Sequence, residues 1–436
     1  MAYGSNNGQS VFERASKLGH LPIIQNDYVN ELVKEFASYE STAAKIEFDS
    51  NVVSDINETC SDIKTVISID GSFSTVENKF YKNKSVSYIK VATLMISLDK
   101  LDKARAPIVN PVLLNDIISE YSDTIATVLP LNNVKLKDET PLDSIRKIIE
   151  ITLKEQYSEL YNTLKFLVFK QWDPTKFESL EFGCPFCERK ITVMKEFDEV
   201  KCNSCLKKVF LTDYISLHTD FYDGNTNEKI ASSFMQVLEH LLLFNYIRLL
   251  YLEEKNKLSR VLFLKDGPLA LFSQLSRLVE PIREFIQHLK DNGIPLYLAG
   301  IEKSGSFFEH ALILDKKIKG KKLIVPNNKY IFSYIKQGDY STTNYGERVN
   351  YGSKVFIKLT DKWVLSLSVP TGEYKCNPKK DDLIGVDEIA SILPKIVSNS
   401  FPNALLPIVA VNKIASMSIY PTNNILEKFT FSLMDN

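Results

Sequence analysis

Two aspartates and two pairs of cysteines carry most of the chemistry in this 436-residue sequence. The apolar run Val66-Ile67-Ser68-Ile69 leads into Asp70-Gly71-Ser72. A second run, Val261-Leu262-Phe263-Leu264, leads after Lys265 into Asp266-Gly267-Pro268. A buried strand alternates its side chains between two faces, and its end is where a side chain can leave the core, so each run is predicted to deliver a carboxylate at a strand end. The glycine after each aspartate is expected to turn the chain sharply and keep the approach to a ligand clear. Hard divalent cations want more oxygen donors than two carboxylates supply. Glu239 is the third candidate, on a predicted helix among apolar Met235, Leu242 and Leu243, where its carboxylate is drawn against the core unless a cation compensates it. A single Asp-Gly is an ordinary turn. Two at the ends of apolar strands, with an acidic residue on the intervening helix, point to a two-metal site for phosphodiester hydrolysis. In such a site one ion activates water and the other stabilises the leaving oxygen.

Cys184-Pro185-Phe186-Cys187 and Cys202-Asn203-Ser204-Cys205 are C-x2-C pairs fourteen residues apart. Each pair is predicted to form a knuckle, and the four thiolates to close a tetrahedral Zn²⁺ shell with no open position, which makes the site structural. The zinc is expected to stand in for a core that so short a segment cannot build.

Further candidates are basic. Lys303 follows an apolar run and precedes Ser304-Gly305-Ser306, where it could meet a scissile or neighbouring phosphate as a point charge. Lys316, Lys317, Lys319, Lys321 and Lys322 surround a glycine and form the densest basic cluster, suited to a DNA backbone. The five histidines have no metal-ligand spacing, and His310 reads as a core or surface residue. No phosphate loop with a following Lys-Ser or Lys-Thr is present, so energy for processive work would have to come from a partner.

Composition sets bounds on these readings. Hydrophobic residues make up 44% and charged residues 25% of the chain, as in an ordinary globular protein. Lys plus Arg total 53 against 54 Asp plus Glu, so a nucleic-acid surface must be a local patch. The polar start, Met1 to Gln9, lacks a secretory pattern, and the most apolar stretch, His240 to Leu252, is interrupted by Asn245 and Arg248. A cytoplasmic protein with no membrane contact is expected, in keeping with cysteines paired for metal.

The elements that must position these groups are read from periodicity. Residues 12–36 mix helical spacing with a more extended His20 to Ile24. Strands are predicted at 66–69, 80–81, 88–95, 261–264, 294–301, 331–334, 355–359 and 363–369, with short antiparallel connections among the early ones. Helices are predicted at 142–169, 231–254, 272–291, 387–397 and near 402–414. This is an α/β pattern interrupted by the cysteine segment.

In order along the chain, Gly19-His20-Leu21-Pro22-Ile23, Ile69-Asp70-Gly71-Ser72, Lys265-Asp266-Gly267-Pro268-Leu269 and Ile301-Glu302-Lys303-Ser304 resemble the motifs of the NurA nuclease family. The resemblance implies an RNase H-like mixed sheet flanked by helices, with the zinc ribbon inserted. It also implies a Mn²⁺- or Mg²⁺-dependent DNA endo- and exonuclease, a homodimer docked on a HerA-type hexameric DNA translocase, in DNA end processing or defence against foreign DNA. Asp70 and Asp266 match the family's metal-binding aspartates and Glu239 its helix-borne glutamate. Tyr420-Pro421 matches a tyrosine-proline pair, with Tyr420 a candidate DNA contact. Where the family carries a metal-binding histidine, this chain reads Asn424-Ile425-Leu426-Glu427-Lys428. Glu427 is then the candidate to coordinate in its place, or else Lys428 to offset phosphate charge without coordinating. The expected organisation is a wrapping segment at 1–60, a nuclease domain at 61–182 and 213–436, and a zinc ribbon at 183–212. The competing expectation is a catalytically weak or inactive DNA-binding adaptor subunit of a translocase complex.

Overall fold

The computed structural model describes residues 21–36, 52–57, 59, 61–78, 84–105, 112, 116–118, 121–175, 179–222, 227–336, 338–339, 342–360, 363–398, 401, 403–417 and 422–434. Its two compact units are Met1–Glu47 and Phe48–Asn436. In the first, Leu21–Ile24 forms a helical turn where an extended segment is predicted, because Pro22 lies in its first turn, where no backbone N–H is needed. Helix α1 (Asp27–Glu35) follows, and the Asn26 side chain accepts its Val29 N–H at 3.2 Å.

Among the described residues the second unit has thirteen strands: β1 (Val53–Asp55), β2 (Thr65–Asn78), β3 (Lys84–Ser97), β4 (Ser122–Pro130), β5 (Ser179–Gly183), β6 (Lys190–Met194), β7 (Glu199–Lys201), β8 (Lys208–Phe210), β9 (Val261–Asp266), β10 (Tyr297–Glu302), β11 (Lys322–Ile324), β12 (Ser353–Thr360) and β13 (Trp363–Val369). Nine of them form one mixed sheet in the order β1-β11-β12-β13-β10-β9-β2-β3-β4. β2, β3 and β4 are an antiparallel meander, whereas β9 pairs parallel with both β2 and β10. Strand alternation divides the core. Ile67, Ile69 and Phe263 point to one face, covered by helices α2 (Pro141–Ile151), α3 (Ser158–Val168), α4 (Glu228–Glu253) and α5 (Val279–Asp291). Val66, Leu262 and Leu264 point to the other, covered by α6 (Val386–Ile396) and α7 (Leu406–Ala415).

Three elements depart from the periodicity. The predicted 142–169 helix is two helices, broken after a π segment at Tyr157, whose hydroxyl bonds both the N–H and the C=O of Ala126 on the edge strand β4. That tertiary tie outweighs local helix preference. Residues 331–334 are helical rather than extended, because Asn327 caps the Asn328–Ile331 turn by accepting the Tyr330 N–H at 2.8 Å. The start of the 272–291 helix is a 3-10 segment, Ser273–Leu278, and α5 begins just before Pro281, which fits only a first helical turn. The predicted strand at 80–81 lies outside the described residues. Among the described residues no helix is long and apolar enough to cross a membrane.

Candidate active site and metal centre

The parallel ladder between β2 and β9 runs from Thr65 opposite Val261 to Ile69 opposite Lys265. β9 then stops at Asp266. Gly267, at φ 84°, sends its N–H to the Ile301 carbonyl at 2.8 Å and folds the chain back over β10. A Cβ on Gly300 would sit 2.6 Å from the Gly267 carbonyl oxygen, so the crossing requires glycine there. β2, by contrast, does not end at Asp70 as predicted. It stays paired with β3 from Asp70 opposite Ala92 to Asn78 opposite Lys84, because the long hairpin supplies its hydrogen bonds. Asp70 is instead the first residue of β2 beyond the last pair it makes with its shorter parallel neighbour. Alternation puts Asp70, Asp266 and Lys303 on the face covered by α7, and Lys265 and Gly71 on the face covered by α4.

Each carboxylate has a distinct environment. Asp70 is 6% exposed; its Oδ1 accepts the Gly71 N–H at 2.8 Å, and its Oδ2 is buried with no partner. Burial first, then the charges of Asp266 and Glu239, push its carboxyl up to about 7 against the opposing pull of Lys303. Asp266 Oδ2 meets Lys303 Nζ at 2.6 Å and is approached by Asn412 Nδ2 of α7 at 3.4 Å. Glu239 is fully buried on α4, and its Oε2 holds Lys265 Nζ at 2.7 Å. The same ammonium donates to the Asp266 carbonyl at 2.7 Å, tying α4 to the end of β9. Burial raises the Glu239 carboxyl although Lys265 and the Gly71 N–H oppose the rise.

Gly71 is the gap through which the two faces meet. A Cβ there would lie 2.7 Å from Glu239 Oε1 and 2.9 Å from Met235 Cγ. The residue is therefore glycine for close approach within a strand, and the turn predicted for it is absent. Gly71→Ala is expected to displace the Glu239 carboxylate, lower any metal-dependent turnover by about tenfold or more and cost about 1–3 kcal/mol of stability. Steady-state kinetics together with thermal melts check this.

The sequence alone assigns no role to Lys265 or Asn412. The signal for Lys265 was present, since a lysine inside Val-Leu-Phe-Leu-Lys is buried and needs a carboxylate from the helix facing it. Asn412 had none, because only the tertiary docking of α7 brings it to Asp266. Within 4.8 Å of one another, the ligand atoms of the four cysteines form a group of metal-binding type among the described residues; the three carboxylates do not, Glu239 being turned to Lys265 and Asp266 to Lys303.

The cysteine ribbon consists of hairpins β5–β6 and β7–β8. Its two knuckles repeat one geometry. The Cys184 and Cys202 N–H groups donate to Arg189 and Lys207 at 2.9 Å, while Glu188 and Leu206, at φ 59° and 58°, donate back to Cys184 and Cys202 at 2.9 Å. Such left-handed turns at non-glycine residues persist where the surroundings dictate them. Sγ separations are 3.6 Å for Cys184 and Cys205 and 3.7 Å for Cys187 and Cys202. A tetrahedral ion with metal–sulfur bonds of about 2.3 Å has sulfur edges of about 3.8 Å, so the four thiols are spaced to hold a metal ion. Burial pushes Cys184 up to about 12, whereas the backbone N–H groups of Cys205 and Ser204 draw Cys202 down to about 6.

The ribbon also has its own apolar contacts, contrary to the expectation of a segment without a core. Phe182, Val193 and Val209 belong to the same cluster as Ile149 and Leu164. Arg146 of α2 joins them polarly: its Nη2 meets Asp213 Oδ2 at 2.6 Å and the Lys208 carbonyl at 3.0 Å, and its guanidinium lies 4.5 Å from the Phe186 ring centre.

The remaining candidates are dispersed. Lys316, Lys317, Lys319 and Lys321 are exposed around the turn between the Ser306–Lys317 helix and β11, while Lys322 pairs with Asp55 at 2.5 Å. β11 stands four strands from β9, about 19 Å at normal strand spacing. Glu427 lies partly exposed on the Thr422–Met434 helix, and the charges acting most on Asp70 are those of Asp266, Glu239 and Lys303. Tyr420 lies outside the described residues, as do Gly19 and His20 of the first motif, whose Leu21-Pro22-Ile23 falls in the Leu21–Ile24 helical turn. His310 is buried and bonds the Tyr330 hydroxyl at 2.9 Å, a core role.

No family model matches the chain, and no curated protein does. Among solved structures, the crystal structure of the NurA nuclease from Sulfolobus solfataricus is matched over 98% of each chain, with 11% identity and a TM-score of 0.34.

Proposed function

We propose that this chain is a divalent-metal-dependent nuclease that hydrolyses DNA phosphodiesters at Asp70, Glu239 and Asp266, with a structural zinc ion in the cysteine ribbon. One observation carries the reading: a buried carboxylate oxygen, Asp70 Oδ2, has no partner, and the charges of Asp266 and Glu239 both act on that carboxyl. Buried polar atoms are nearly always satisfied, and a cation is the partner that an oxygen in acidic company lacks. Sheet order supports an RNase H-like core, since the antiparallel meander β2–β3–β4 is extended from β2 by the parallel strands β9 and β10.

Asp70 and Asp266 would hold Mn²⁺ or Mg²⁺ from one face of the sheet, with Glu239 joining once its carboxylate turns away from Lys265. Such an ion polarises the phosphate and lowers the pKa of water. The protein's own residues set the geometry. Lys265 fixes the Glu239 carboxylate, and Asn412 steadies Asp266 from the opposite face. Lys303, 31% exposed, is free enough to exchange Asp266 for a phosphate oxygen. The lysine turn before β11 supplies a basic patch for DNA backbone further along. A homodimer working with a HerA-type translocase belongs to the same reading, and co-purification scored for a hexameric ATPase tests that partner. Activity itself is tested by Mn²⁺-stimulated cleavage of linear DNA, with RNA as comparator, in the wild type and in Asp70→Ala. Retained cleavage in the variant rejects the assignment.

A second reading has its own support. Glu239 and Asp266 each already hold an ammonium, so most of the acidic charge is neutralised without an ion. That favours a non-catalytic DNA-binding or adaptor subunit, which would bind DNA yet show neither Mn²⁺ binding nor cleavage.

A further inference from the structure

Two phenylalanines near the carboxylates keep much of their rings in solvent: Phe73 on β2 is 36% exposed, and Phe272, six residues beyond Asp266, is 39% exposed. Single exposed apolar residues are ordinary on a protein surface. These two come from separate elements and line one cavity of about 420 Å³, together with Glu228, Lys229, Ser232, Ser273 and Gln274. We propose that Phe73 and Phe272 form a stacking platform for an unpaired nucleobase. Such a platform rests on the DNA-binding reading, common to nuclease and adaptor, and needs no bound ion.

The sheet sets the placement. β9 pairs with β2 only as far as Ile69 opposite Lys265, so among the described residues no strand flanks β2 on that side from Asp70 to Asn78. Phe73 stands three residues beyond Asp70, about 10 Å along the strand, on the face that also carries Gly71. A polynucleotide with a phosphate at Asp70 can therefore round the open margin of β2 and lay a neighbouring base on Phe73. Phe272 is held by its own N–H, which donates to Gln236 Oε1 of α4 at 3.3 Å, one turn before Glu239, while Leu271 beside it is buried.

The lining suits a base better than a phosphate. Lys229, the one cation among the described lining residues, is paired with Asp220 at 2.6 Å, and Glu228 adds a negative charge, so the cavity offers no net attraction to an anion. A base is neutral, presents a π-face to either ring, and carries edge donors and acceptors for the Ser232 and Ser273 hydroxyls and the Gln274 amide oxygen. Gln274 is already oriented, its Nε2 donating to Asp220 Oδ2 at 2.7 Å and to Ser233 Oγ at 2.8 Å. Inside a duplex each base is stacked between its neighbours, so only an unpaired base can use the platform.

The test is binding of the zinc-loaded full chain, without added divalent ion, to a single-stranded oligonucleotide carrying 2-aminopurine and to the matching duplex. The expected result is quenched 2-aminopurine fluorescence in the bound single strand. Phe73→Leu and Phe272→Leu are each expected to weaken single-strand binding about tenfold and relieve the quench, with duplex affinity unmoved and Phe73→Tyr near the wild type. Leucine keeps the apolar contacts of these part-buried rings, so folding is preserved. An unquenched single strand, leucine variants that hold it as tightly as the wild type, or variants that lose single strand and duplex alike would overturn the platform and leave the DNA-binding reading standing. A wild type that binds neither form would remove that reading and the platform with it.

Discussion

Asp70→Asn is expected to lower Mn²⁺-dependent DNA cleavage by on the order of 10³-fold while making the manganese-free protein more stable at neutral and alkaline pH. The two effects have one cause. The Asp70 carboxyl is raised from 3.8 to about 7, first by burial and then by Asp266 and Glu239. The unfolded chain therefore ionises at lower pH than the folded one. Below pH 4 both states are protonated and the residue contributes nothing; between pH 4 and 7 the folded state loses stability, and above pH 7 the whole penalty is present. Asparagine keeps the shape, removes the titration and abolishes the penalty, on the order of a few kcal/mol. Melting curves of the two proteins should coincide near pH 4 and separate in favour of the variant towards pH 8. A variant that keeps wild-type cleavage would show that this carboxylate does no chemistry.

Cys202→Ser is expected to cost the protein its ribbon metal and on the order of 10 °C in Tm. The effect should exceed that of a detached module, because the ribbon is not energetically separate. Val193, Val209 and Phe182 share a core with α2 and α3, and Arg146 spans the two through Asp213, the Lys208 carbonyl and the Phe186 ring. Loosening the knuckle leaves that buried arginine with a poorer set of partners, a loss of several kcal/mol if the pair breaks. Metal analysis should give one zinc per chain for the wild type and much less for the variant. A wild type without zinc, or a variant melting within a degree of it, would contradict the structural role.

Much of this arrangement was legible in the residues. Two apolar runs ending in Asp-Gly found the two parallel strands whose aspartates converge, since alternation and charge avoidance act locally. Apolar neighbours marked Glu239 as a buried carboxylate for the same reason. The C-x2-C spacing found the ribbon because a knuckle is made within a few residues. What escaped needed contacts distant in sequence. Gly71 reads as a turn until α4 is seen pressing Glu239 against it. β2 reads as ending at Asp70 until β3 is seen carrying it on to Asn78. Asn412 is one more polar residue on a helix until α7 docks beside β9. The lysines that occupy Glu239 and Asp266 are hidden likewise: the sequence offers Lys303 to a phosphate and gives Lys265 no role.

The most direct measurement is anomalous diffraction from crystals soaked in Mn²⁺. A peak within about 2.2 Å of Asp70 Oδ2, contacting Glu239 and Asp266 as well, is the result expected for a carboxylate-held ion. Manganese density elsewhere, with Asp70 Oδ2 still unpartnered at saturating Mn²⁺, would contradict it.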